Sequence, residues 1–117
     1  MAKLTASQRE GFAALRRVYL AQVPGRIAEI RREAAALRRG SAAREVLLEL
    51  RQLAHRLVGS SALFGLPLLS AAARDLEQEL DRVLAGAASP GGLDTLTAGL
   101  EAAWSASEAG ADGDRGA

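Results

Sequence analysis

Apolar residues recur at three- and four-residue intervals along most of this 117-residue chain, the spacing that lines one face of an α-helix. Phe12, Leu15, Tyr19 and Val23 form a first set, and Ile27, Ile30, Ala34 and Leu37 a second. Leu47, Leu50, Ala54, Leu57, Ser61 and Phe64 follow, then Leu69, Ala73, Leu76, Leu80 and Val83. Leu93, Leu96, Leu100 and Ala103 close the series, with Trp104 near the end. No segment alternates with the period of a strand, and no internal repeat is evident.

The punctuation between these sets predicts where helices begin and stop. Thr5 with Gln8, or Ser7 with Glu10, offers a capping box for a first helix. Pro24 suits the first position of a second, where its missing N–H is not needed. Gly40 is placed to end that helix and Ser41 to cap the next. The third helix is expected over residues 42–64, roughly 33 Å long, with Gly65 closing it. Pro67 opens a new helix two residues later, so the two must fold back as an antiparallel hairpin. Gly86 stops that helix, and Ser89-Pro90 reads as an N-cap and first helical position. The expected architecture is all-α: an antiparallel up-and-down four-helix bundle with an additional N-terminal helix. Residues 1–106 form the bundle, and the Gly/Asp/Ala-rich residues 107–117 a flexible tail.

Composition narrows the chemistry. About half the residues are apolar but only Phe12, Tyr19, Phe64 and Trp104 are aromatic, so the core rests on Leu, Ile, Val and Ala. The absence of cysteine excludes disulfides and thiolate metal sites. A net charge of +1 makes no electrostatic case for nucleic acid or an anionic membrane. No apolar run approaches the ~18–20 residues that span a bilayer, and the N-terminus lacks a signal-peptide core. A soluble, cytoplasmic protein is expected. Lys3 stands alone against fourteen arginines, which looks like base-composition bias and not a binding device.

His55 is the only histidine. It follows Ala54 on the apolar stripe and is therefore rotated about 100° off it, toward solvent. Gly59 stands one turn further on the same face, with Ala62 next along. Glycine inside a helix costs about 0.5–1 kcal/mol relative to alanine; here it leaves bare backbone beside an imidazole, as if another molecule had to come close. A lone exposed histidine can also be a surface residue without a role. A metal site would need three or four ligands, and only carboxylates could complete one. A Ser-His-Asp hydrolase would need a strained nucleophile turn and an oxyanion hole, and neither is suggested. Ser60 and Ser61 read as small residues for close packing, and no self-contained enzyme is visible.

The whole run Ala54-His55-Arg56-Leu57-Val58-Gly59-Ser60-Ser61-Ala62-Leu63-Phe64-Gly65-Leu66, followed by Leu76-Glu77, resembles the histidine phosphotransfer (HPt) domains of bacterial phosphorelays. Those carry His-x-Leu, a Lys or small apolar residue, then Gly-Ser/Ala, a Phe/Ile-Gly pair ending the helix and a Leu-Glu pair on the next. The match is detailed over the two central helices, and helix order extends it over residues 5–106. The resemblance implies a phosphocarrier and not an enzyme. His55 would accept a phosphoryl group from a receiver-domain aspartate or a sensor or hybrid histidine kinase and pass it to another receiver. No cofactor of its own is implied, the Mg²⁺ belonging to the partner receiver, and the module would be a monomer.

On the same resemblance, Glu77 would orient the ring through its inner nitrogen. Leu48, Gln52, Val58, Gly59 and Ala62 would form the receiver-docking patch, with Leu66 and Leu68 at its edge. Many family members carry Lys where this chain has Val58. Compensating positive charge could come from Arg51, Arg56 or Arg74, of which Arg74, three residues before Glu77, is the first choice. Two other readings stay open. One is a receiver-docking module of the same fold without phosphotransfer; the other is a structural bundle dimerising through the His55 face.

Overall fold

The computed structural model describes residues 4–38 and 44–116, with side chains as far as Glu108. Four helices follow one another: α1 (Ala6–Arg38), α2 (Arg44–Leu63), α3 (Pro67–Leu84) and α4 (Leu93–Gly116), the last entered through a short 3₁₀ turn, Pro90–Gly92. They pack in a ring, α1 against α2, α2 against α3, α3 against α4 and α4 back on α1. The bundle expected from the periodicity is what forms.

The two helices expected before residue 40 are one. Pro24 lies inside α1 instead of starting a second helix. Proline there removes one backbone hydrogen bond. Tyr19, Val23, Ile27, Ile30, Ala34 and Leu37 nevertheless stay in phase across it, and all are buried. At roughly 25 cal/mol per Å² of apolar surface, that unbroken stripe outweighs the lost bond. Thr5 and Gln8 form the capping box: the Gln8 amide donates to Thr5 Oγ1 (3.0 Å) and the Thr5 amide to Gln8 Oε1 (2.8 Å). At 33 residues, α1 is about 50 Å long, and α2 has only 20 residues to meet it. The first turns of α1 therefore overhang. Phe12 and Leu15, expected in the core, are exposed, Leu15 by 62%.

Gly40 and Ser41, expected to end one helix and cap the next, lie outside the described residues, as does Ala42. The Ser89-Pro90 start of the last helix is displaced: Pro90 begins the 3₁₀ turn, Ser89 makes no side-chain cap, and α4 starts at Leu93. That helix continues to Gly116, past the point where composition suggested a tail.

The α2–α3 hairpin is built as its punctuation demands. Gly65 has φ +75°, a conformation costing other residues about 1–2 kcal/mol. The Gly65 amide donates to Ala62 O (3.2 Å) and the Leu66 amide to Ser61 O (2.8 Å), the paired bonds of a Schellman C-cap. Pro67 opens α3 immediately afterwards. Leu47, Leu50, Ala54, Leu57 and Ser61 of α2 face Leu69, Ser70, Ala73, Leu76 and Leu80 of α3, all buried.

One half-buried group works against the fold. Glu33 Oε2 is shielded from solvent and has no hydrogen-bond partner among the described residues. Burial, then the charge of Glu49, raises the pKa of its carboxyl above the ordinary value. A carboxyl raised on folding favours the folded state below its unfolded pKa, about 4.3, and loses that contribution as pH rises through the folded value. Ionised Glu33 is thus destabilising at neutral pH. Glu33→Gln should raise Tm at pH 7 and lose that advantage below about pH 4; equal gains at both pH values would contradict this.

Candidate functional site

α2 owes its exposed ridge to rotation away from the stripe. Leu48, Gln52, His55, Gly59 and Ala62 lie along it, all exposed. The His55 side chain is 70% exposed, yet its ring is not free to turn. Nδ1 lies 2.7 Å from Oε2 of Glu77, whose own side chain is only 15% exposed. An ionised carboxylate only accepts hydrogen bonds, so Nδ1 carries the proton. In the neutral ring this puts the lone pair on Nε2, the nitrogen facing away from Glu77. An exposed nucleophilic nitrogen on a held ring is the chemical content of the site.

The hairpin register explains why Glu77 arrives there. Residues equally far from Leu66 face one another across it: His55 and Glu77 lie 11 positions to either side, Arg51 and Asp81 15. Arg51 Nε bonds the Asp81 carboxylate, which raises the guanidinium pKa further. The Ser70 hydroxyl donates to Val58 O at 2.9 Å, and the buried Ser61 hydroxyl back-bonds to Leu57 O. The first of these bonds pins α3 to α2 one turn beyond the histidine.

On the other flank α1 holds the C-terminal end of α2. Tyr19 Oη and Ser60 Oγ are 2.7 Å apart, and the Arg16 guanidinium donates to Phe64 O at 2.8 Å, serving a carbonyl that the helix end leaves unpaired. Phe64 stacks between Tyr19 (4.6 Å between centroids) and Phe12 (5.3 Å). Sequence reasoning missed these anchors. Tyr19 on the stripe was their one available signal, and nothing in the spacing pointed to Arg16.

The other residues singled out in the sequence divide. Leu48 and Leu68 are exposed, by 45% and 53%, and Val58 is half-buried. Leu66 is buried to 3% and belongs to the core, not to a surface patch; the residue after a Schellman glycine turns its side chain back onto the helix. Arg51 is tied to Asp81. Arg56 lines the groove between α2 and α1, with Gln22, Arg26 and Glu29. Arg74 is exposed and beside Ala62. Among the described residues no group of three or more His, Cys, Asp or Glu side chains gathers as a metal site, and no helix is long and apolar enough to cross a membrane.

No curated protein and no solved structure matches the chain. The Hpt domain family model matches residues 14–106, from the third turn of α1 to the middle of α4 and across the whole His55 hairpin. This chain belongs to the Hpt domain family, a family of histidine phosphotransfer domains in phosphorelays.

Proposed function

We propose that His55 is the phosphoacceptor of a phosphorelay intermediate, charged by a receiver aspartate or a histidine kinase and discharged to another receiver. One observation carries this reading: the 2.7 Å bond from Nδ1 to Glu77, which leaves Nε2 outward on an exposed ring. The Nε2 lone pair attacks the phosphorus of an aspartyl phosphate. The P–O bond to the aspartate breaks, and its electron pair returns to that carboxylate. No proton need leave: the ring keeps its Nδ1 proton, and Glu77 stabilises the positive charge the ring acquires. Transfer of this kind depends on in-line placement and charge stabilisation. The Mg²⁺ and its acidic ligands would be the receiver's contribution.

Leu48, Gln52, Gly59 and Ala62 surround His55 on the ridge and would meet the receiver, with Val58 and Leu68 at the margin. A module that only docked would have no use for a ring held by a carboxylate, and this favours transfer over docking alone. The protein would act as a cytoplasmic monomer without catalysis of its own. A receiver domain of the source organism bearing labelled aspartyl phosphate should pass its label to this protein. The product should be acid-labile and alkali-stable, as a phosphoramidate is. An alkali-labile label, or none from any receiver tested, would overturn the reading.

A further inference from the structure

Once phosphorylated, His55 carries a dianionic group on a ring whose other nitrogen already lies against the Glu77 carboxylate. Beside the receiver's Mg²⁺, a cation on this chain would offset part of that charge. Arg51, Arg56 and Arg74 are the arginines nearest His55 and Glu77 along α2 and α3. Arg51 is taken: its guanidinium bonds Asp81, with Glu77 also close enough to act on it. Arg56 is one residue, about 100°, around the helix from His55 and lies in the groove toward α1.

Arg74 differs from both. It is exposed and makes no ion pair among the described residues. It stands one turn from Glu77 on the same helix, and by hairpin register it faces Val58, each being eight positions from Leu66. Its side chain lines a recess of about 470 Å³ on the α2–α3 seam with Ala62, Gly65, Pro67, Ser70 and Ala71. The phosphoryl group would sit beside this seam, over Gly59. The geometry points to Arg74 as the residue that contacts the phosphoryl group on His55, supplying from α3 the charge that Val58 does not supply from α2. This rests on His55 being the phosphoacceptor. A guanidinium suits the role because its forked donors match phosphate oxygens.

The test uses the full chain and a labelled receiver that charges the wild type. Arg74→Ala should lower the saturated transfer rate about tenfold, the worth of one charge-assisted hydrogen bond at an exposed site. The receiver concentration giving half-maximal rate should stay within about twofold, and Tm should not fall. Arg74→Lys should retain most of the rate. Arg74→Ala with Val58→Lys should recover it, since the cation then arrives from the opposite helix at the same level. A wild-type rate in Arg74→Ala, or a loss that neither lysine restores, would overturn the assignment. A defect confined to the half-maximal concentration would make Arg74 a docking residue and overturn it equally. These outcomes leave His55 untouched as acceptor, whereas a wild type that takes no label at His55 overturns both.

Discussion

Replacing His55 by glutamine is expected to abolish phosphate uptake and to leave the bundle folded. The ring contributes little to stability. Its side chain is 70% exposed and, among the described residues, bonds Glu77 alone; exposed pairs of this kind are worth about 0–1 kcal/mol. Glutamine can still offer Glu77 an N–H, so the half-buried carboxylate is not stranded. What glutamine lacks is a nucleophilic lone pair, since its amide nitrogen is delocalised into the carbonyl. Transfer should therefore fall by more than about a thousandfold, below detection, for loss of the nucleophile itself. Urea unfolding should differ by no more than about 1 kcal/mol. The measurement is label transfer from a charged receiver, run beside the unfolding curve. Label that persists in His55→Gln would place the acceptor elsewhere in the chain.

The hairpin that presents His55 was legible because its signals are local and stereochemical. Gly65 is needed where the chain takes φ +75°, and Pro67 is tolerated where no helical N–H is required. Those two residues set the register, and the register sets His55 against Glu77. The same logic, applied further, brings Arg51 to Asp81. Pro24 shows the opposite case. Read alone it is a helix start, but the buried stripe from Tyr19 to Leu37 continues in phase across it, and tertiary burial decides. Phe12 and Leu15 fit the helical period as well as any core residue does. Their exposure depends on how far α1 outruns α2, a length difference that periodicity does not encode.

The candidate surface was legible unevenly for a related reason. Ridge positions such as Leu48 and Ala62 follow from rotation about one helix axis, so they could be placed from sequence. Leu66 lies beyond the helix end, where that rotation no longer applies, and the Schellman turn folds it inward. Arg16 and Tyr19 act on α2 from another element more than 40 residues away in sequence. Contacts of that kind depend on how helices pack, and a single stripe of apolar positions specifies only that they do.

Gly59→Gln should separate stability from function by moving them in opposite directions. A Cβ built at Gly59 meets nothing within 4 Å, so no packing explains why glycine stands inside α2. Its replacement should stabilise the helix by about 0.5–1 kcal/mol through restored helix propensity. Transfer should nonetheless fall about 10- to 100-fold, because a side chain one turn from His55 obstructs the partner's approach, and a displacement of about 1 Å from in-line geometry costs about that much. Gly59→Ala should share the gain in stability and lose less of the rate. The experiment pairs urea unfolding with single-turnover transfer from a charged receiver. A variant that is more stable but slower cannot owe its defect to unfolding, which leaves the cleared approach as the cause. Transfer at the wild-type rate in Gly59→Gln would mean that the partner does not come close to the helix at Gly59, and that the glycine does not serve the reaction.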